Sequence, residues 1–127
     1  MTARILIVDD QPDIRKLIRL TLQHLDDVEI QEADNGGDGW RMAQDFKPDL
    51  MLLDVMMPGE LDGYQVCAKV KSDPLLKGQT KVILLTARAQ KEDEEQGRKA
   101  GADAYLTKAF SPLKLLDLMD NMLGRTA

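Results

Sequence analysis

Three carboxylates, one hydroxyl and one ammonium stand at the ends of short apolar runs. Val8 is followed by Asp9-Asp10, Leu53 by Asp54, Leu85 by Thr86, and Leu106-Thr107 by Lys108. In an open parallel α/β sheet, ligands bind in the crevice beyond the carboxyl ends of the strands. If these runs are parallel strands, the five residue types converge on one pocket. Two adjacent aspartates after one strand and a third after another suit a hard divalent cation. Mg2+ takes oxygen ligands, is usually held by one or two carboxylates, and shares phosphate oxygens. Without a cation the clustered carboxylates would oppose one another's ionisation. Lys108 adds a point charge able to pair with a carboxylate or with a phosphoryl oxygen, and Thr86 offers a hydroxyl donor. Asp54 stands alone at the end of a central run and is the candidate nucleophile. A carboxylate can be converted to an aspartyl-phosphate, while cation and lysine neutralise charge on the group in transfer.

Strand-like and helix-like patterns alternate along the chain, as expected of a parallel sheet covered by helices. Ile5-Leu6-Ile7-Val8 reads as a strand buried on both faces. Pro12 opens a helix, with Ile14, Leu17, Ile18, Thr21, Leu22 and Leu25 at helical spacing. Val28-Glu29-Ile30 reads as a short second strand. Gly36 to Phe46 should be helical, but Gly36, Gly37 and Gly39 predict a short second helix with a frayed start, since each interior glycine costs about 1 kcal/mol relative to alanine. Leu50–Leu53 is the third strand, Gly63–Lys71 the third helix, and Lys81–Leu85 the fourth strand. Residues 88–99 form a helix candidate with almost no apolar face, so its position can be biased cheaply. Ala104–Thr107 is a short fifth strand. Ser111-Pro112 is an N-cap and first-turn pair opening a helix lined by Leu115, Leu116, Met119, Met122 and Leu123. The reading is (βα)5, one domain over residues 1–127.

Composition narrows the classes. The 127 residues suffice for a single core, and hydrophobic residues at 43% with charged residues at 31% are ordinary for a globular domain. No apolar run approaches the roughly 20 residues of a membrane span. Met1-Thr2-Ala3-Arg4 leads directly into the first strand, leaving no room for a signal peptide. The single cysteine, Cys67, reads as a small core residue, and a lone cysteine fits a reducing, cytoplasmic location. The net charge of −5, from 22 acidic and 17 basic residues, argues against direct nucleic-acid binding. His24 reads as a surface or helix-end histidine, and Trp40 as packing the second helix onto the sheet.

The segments Ile-Leu-Ile-Val-Asp-Asp, Asp-Val-Met-Met-Pro-Gly and Tyr-Leu-Thr-Lys carry a resemblance over essentially the whole chain. The sequence resembles the CheY-like receiver domain of two-component response regulators. The resemblance implies a doubly wound, flavodoxin-like five-stranded parallel sheet in the order 2-1-3-4-5. It also implies a phosphorylation switch: Asp54 accepts a phosphoryl group from a histidine kinase or histidine phosphotransferase. Mg2+ would be held by Asp10, Asp54 and the backbone carbonyl of Met56, with Asp9 helping through water or neighbouring contacts. Thr86 and Lys108 would engage the phosphoryl oxygens. As Thr86 moves, Tyr105 would turn inward and rearrange the surface of the fourth helix, fifth strand and fifth helix. The implied downstream partner is a protein target or a fused output domain, and phosphorylation-dependent pairing of two copies is a further expectation.

The sequence departs from the family pattern in two places. Ala109 stands after the lysine where family members usually carry proline, often with a cis bond, which leaves the bond at Lys108–Ala109 open. The stretch Pro58–Gly63 is one residue longer than the commonest form. Met56 and Arg88 occupy positions that tune phosphoryl loss in the family, and an apolar Met56 predicts slow loss because it cannot position an attacking water. The competing reading is a Mg2+-dependent small-molecule phosphatase or phosphotransferase using an aspartyl-phosphate. Such an enzyme needs a general acid near the nucleophile, commonly where Met56 stands. A degenerate receiver is disfavoured by the intact set of five residues. A flavin binder is disfavoured because no phosphate-binding loop succeeds the first strand.

Overall fold

The computed structural model describes residues 2–23, 25–87 and 91–124. The order of elements is β1 (Ala3–Val8), α1 (Pro12–Leu22), β2 (Val28–Ala33), α2 (Gly36–Phe46), β3 (Leu50–Asp54), α3 (Gly63–Ser72), β4 (Lys81–Thr86), α4 (Lys91–Ala100), β5 (Ala104–Thr107) and α5 (Pro112–Leu123). The strands form one sheet in the order β2-β1-β3-β4-β5, every neighbouring pair parallel. This is the CheY-like arrangement expected from the sequence.

Alternation along each strand sends successive side chains to opposite faces. Leu6, Val8, Met51, Leu53, Val82 and Leu84 meet Ala43, Phe46, Val66, Cys67 and Val70 on the side covered by α2 and α3. Ile5, Ile7, Leu50, Leu52, Ile83 and Leu85 meet Ile18, Leu22, Leu115 and Met119 of α1 and α5 on the other. Because both faces are covered, the central strands need continuous apolar runs, and the polar residues that end those runs are left at one rim.

Side-chain caps start three of the helices. Asn35, Asp62 and Ser111 each accept a bond from the backbone N–H three residues on, and Asp62 with Gln65 completes a reciprocal capping box.

Two elements are longer than their local sequence suggests. β2 runs to Ala33, six residues paired in register with β1 from Ala3↔Val28 to Val8↔Ala33. Its polar residues are tolerated at the sheet edge, where Glu32 pairs with Arg15 and Arg19 of α1. α2 is not short: it spans all eleven residues of Gly36–Phe46, and the side chain of Asn35 fixes its start. Its glycines serve close packing. A Cβ on Gly36 would collide with the carbonyl oxygen of Leu61, and one on Gly39 would lie 2.8 Å from a methyl of Val8. The helix therefore gains a tight seat on β1 that offsets its poor propensity. Within α1, Leu17 is 38% exposed, so the apolar face is narrower than its spacing suggests.

Candidate functional site

β1 ends one residue before Asp9, and four hydrogen bonds hold that aspartate in place, one of them from Lys108 Nζ to its Oδ1 at 3.4 Å. The Asp9 N–H donates to Ala33 O at 3.1 Å. Its carbonyl accepts from Arg15 Nη1 at 2.7 Å, and its Oδ1 from the Gln11 N–H at 2.8 Å. Asp9 is thereby pinned between β2 and α1 with its carboxylate fully buried. Asp10 is exposed at the same rim. Asp54 is the last residue of β3 and 1% exposed, and its Oδ1 accepts from the Met56 N–H at 3.2 Å. Carboxylate oxygens of Asp9, Asp10 and Asp54 all lie within 4.8 Å of one another.

Lys108 closes the pocket from the β5 side. Its Nζ is 3.2 Å from Asp9 Oδ2 and 3.1 Å from Asp54 Oδ2, and it donates to Gln11 Oε1 at 2.6 Å. The Lys108 backbone N–H donates to Thr86 O at 2.7 Å, which joins the lysine turn to the end of β4. Every described peptide bond is trans, Lys108–Ala109 included, so the lysine reaches the pocket without a cis bond. Thr86 is 3% exposed and comes directly after Leu85, the register partner of Asp54. It therefore sits one residue further toward the same rim.

The fit to a hard cation can be judged from the oxygens themselves. Asp9 Oδ2 and Asp54 Oδ2 are buried with no hydrogen-bond partner. The ammonium is close enough to offset their charge but lies off the bonding direction, and its short bond goes to Gln11. Buried anionic oxygens left without donors are costly. Two of them beside a third, exposed carboxylate form an oxygen donor set of the kind Mg2+ takes. The strain also appears in the protonation of Asp54, whose carboxyl is pushed up from 3.8 to about 7. Burial is the largest cause and the Asp9 charge the next, with the Met56 N–H and Lys108 pulling the other way.

Sequence reasoning brought Asp9, Asp10, Asp54, Lys108 and, on the adjoining strand end, Thr86 to one place, and the structure does the same. Met56 meets the site through its backbone N–H, and the residue is 75% exposed. Tyr105 lies away from the carboxylates on the α4 side of the sheet. Arg88 and His24 fall outside the described residues. Two contributors went unnoticed. Gln11 is an N-cap whose side chain makes no cap and holds Lys108 instead. Gly63 abuts the strand end that carries Asp54: a Cβ there would collide with Asp54 O and lie 2.7 Å from Val55 Cα. Its N–H donates to Val55 O at 3.1 Å. The sequence marks Gly63 only as the start of the third helix.

A family model described as the response regulator receiver domain matches residues 5–120. The chain belongs to that family. Among curated proteins, the receiver is 37% identical over 126 residues to the transcriptional regulatory protein SrrA of Staphylococcus aureus, covering 99% of this chain and 50% of that protein. The chain thus spans about half the length of the curated relatives it matches. Among solved structures, a putative response regulator from Chloroflexus aurantiacus superposes with a TM-score of 0.90 at 32% identity, covering 98% of this chain and all of that one. The chemotaxis protein CheY4 of Vibrio cholerae superposes at 0.88 with 29% identity, covering 97% of this receiver and all of its own chain. This is a signalling domain of two-component systems. No described helix is long and apolar enough to cross a membrane.

Proposed function

We propose that this receiver is a phosphorylation switch whose phosphoacceptor is Asp54. The observation that carries the reading is the focus on Asp54: a buried strand-end carboxylate, its Oδ2 without a hydrogen bond, an ammonium 3.1 Å away and two further aspartates at the same rim. A carboxylate oxygen of Asp54 attacks the phosphorus of a phosphohistidine on a histidine kinase or phosphotransferase. The new O–P bond forms as the P–N bond breaks, and the electron pair leaves with the imidazole. Asp10, Asp54 and the Met56 carbonyl would hold Mg2+, with Asp9 assisting; when bound, the cation neutralises phosphoryl oxygens during transfer. Lys108 supplies a second positive charge against those oxygens, and Thr86 a hydroxyl donor.

The output surface is assigned to α4, β5 and α5, with Tyr105 reporting the state of Thr86. The target is a separate protein or an effector region like the other half of the longer relatives, and two phosphorylated copies pairing through this surface is a further outcome. A cytoplasmic location fits such partners. Incubation with acetyl phosphate and Mg2+, read by intact mass, tests the reading. One phosphoryl adduct on the wild type, absent in Asp54→Asn and without Mg2+, is expected. No adduct on the wild type would overturn it.

A further inference from the structure

α4 has a problem that its sequence states plainly. Of its ten residues only Gly97 is buried, so apolar packing contributes little to holding it on the sheet. Among the described residues, the hydrogen bonds that hold its first turns to other elements come from two tyrosines. The ring of Tyr105, on β5, lies over Gly97 so closely that any Cβ there would overlap it. Its hydroxyl donates to the backbone carbonyl of Asp93, one turn earlier on the same helix. Tyr64, the second residue of α3, reaches the same spot: its hydroxyl is 2.9 Å from that of Tyr105, 3.5 Å from Asp93 O and 3.4 Å from Asp93 Oδ1.

Counting protons orders these contacts. Each phenol has one donor, and burial raises both tyrosines above the ordinary value of 10.0, so both stay protonated near neutral pH. Tyr105 gives its proton to the Asp93 carbonyl, which leaves Tyr64 to donate to the oxygen of Tyr105. The chain of bonds therefore runs from α3 through β5 to α4. Its α3 end is fixed beside the phosphoacceptor, because Tyr64 adjoins Gly63, the residue seated against the backbone of Asp54 and Val55.

We infer that Tyr64 is a positioning residue of the switch: its hydroxyl holds Tyr105 on the Gly97–Asp93 seat and so ties the start of α4 to the strand end that carries Asp54. The inference rests on the phosphoswitch reading for its purpose, but the clamp belongs to the unmodified protein and can be tested there. Any rearrangement of the α4–β5 surface that moves Tyr105 has to break the Tyr64 bond as well. The resting state is thereby favoured, and Tyr64 joins Thr86 as a link between Asp54 and the output surface.

The test is amide hydrogen exchange on the full chain, comparing wild type, Tyr64→Phe and Tyr105→Phe without phosphoryl donor. Tyr64→Phe keeps the ring and removes one hydroxyl. Exchange within residues 91–100 should quicken about tenfold, with β1 and β3 unchanged, and Tyr105→Phe should loosen the same segment. Unchanged exchange in α4 would overturn the inference. So would equal quickening throughout the sheet, which marks general destabilisation without a clamp. Acetyl phosphate and Mg2+ are then added and the adduct counted by mass. Equal adduct in wild type and Tyr64→Phe, with a smaller further change in α4 for the variant, is expected; an equal further change would count against the coupling. No adduct in either protein would sink the phosphoswitch while leaving the exchange result standing.

Discussion

Removing the charge of Asp54 should stabilise the receiver, and increasingly so as pH rises. The carboxyl is 1% exposed and titrates at about 7 in the fold against 3.8 ordinarily. A group whose folded pKa is raised favours folding in its protonated form. That advantage is complete below pH 3.8 and is lost as pH climbs through about 7. At about 1.4 kcal/mol per pH unit the full difference is roughly 4 kcal/mol. Asp54 shares its burden with Asp9, and the substitution also forfeits an ion pair to Lys108. A gain of about 2–3 kcal/mol is therefore the working figure at pH 8. Asp54→Asn presents a neutral side chain of the same shape. Urea unfolding of both proteins at pH 4, 6, 7 and 8 without divalent cation gives the difference directly, because midpoint shifts at constant slope report stability alone. The variant should match wild type near pH 4 and exceed it progressively above pH 5. Millimolar Mg2+ at pH 8 should close the gap by stabilising only the wild type, since a ligand that binds the folded state adds stability by mass action. A difference that is flat with pH, or a wild type more stable than Asp54→Asn at pH 8 without cation, would refute the account of Asp54 as a strained carboxylate.

Neighbouring residues give three further expected outcomes. Lys108→Met should remove the only ammonium within 4 Å of the two buried aspartates among the described residues. It should raise the Asp54 pKa further and slow phosphorylation by acetyl phosphate at least tenfold, read as initial rate by mass; an unchanged rate would exclude a role in charge neutralisation. Gly63→Ala should cost about 2–4 kcal/mol in urea unfolding because its Cβ meets backbone that cannot give way, and a loss under about 0.5 kcal/mol would show that the strand end is free to shift. Met56→Asn, at a residue 75% exposed two positions past Asp54, should speed loss of the phosphoryl group by offering a hydrogen bond to an attacking water; an unaltered half-life would dismiss that position as a control point.

The sheet and its site were legible for one physical reason. Central strands buried on both faces must be continuously apolar, so Asp9, Asp54 and Thr86 announce themselves as the first polar residues past their runs, and Lys108 stands just past Thr107 at the end of the fifth. Edge and packing features do not work this way. β2 was read short because Gln31 and Glu32 break its apolar pattern, yet an edge strand is free to put those residues against Arg15 and Arg19. The glycines of α2 were read as weakness because propensity counts only the helix's own backbone, and their use against Val8 and Leu61 exists only after the helix meets its neighbours. Gln11 and Tyr64 were invisible for a related reason. Each makes its decisive contact with a residue far along the chain, Lys108 and Tyr105, and neither position carries a local pattern that demands it.

The polar α4 shows how such long-range contacts change the meaning of a sequence feature. A helix without an apolar face reads as weakly held along its whole length. The structure holds its two ends by different means. Past the last turn, Lys71 Nζ bridges Thr80 O at 2.8 Å and Asp103 Oδ2 at 2.6 Å, Asp103 Oδ2 also accepts from Val82 N at 2.8 Å, and the Cys67 thiol faces Ala100 O at 3.5 Å. That end is tied to α3 and β4 by an ion pair and bonds to backbone, at the rim of the sheet opposite Asp54. The first turns hang instead on two phenol protons, each worth about 1 kcal/mol. Breaking one of them removes a single contact, whereas releasing the other end breaks a partly exposed Lys71–Asp103 ion pair together with the bonds to Thr80 O and Val82 N. The cheap motion is therefore a pivot about Gly101, which has the positive φ of 90° that a sharp helix exit needs. On the phosphoswitch proposed above, a helix with one firm end and one lightly fastened end would turn a small change beside Asp54 into displacement of a single surface and leave the rest of the sheet in register.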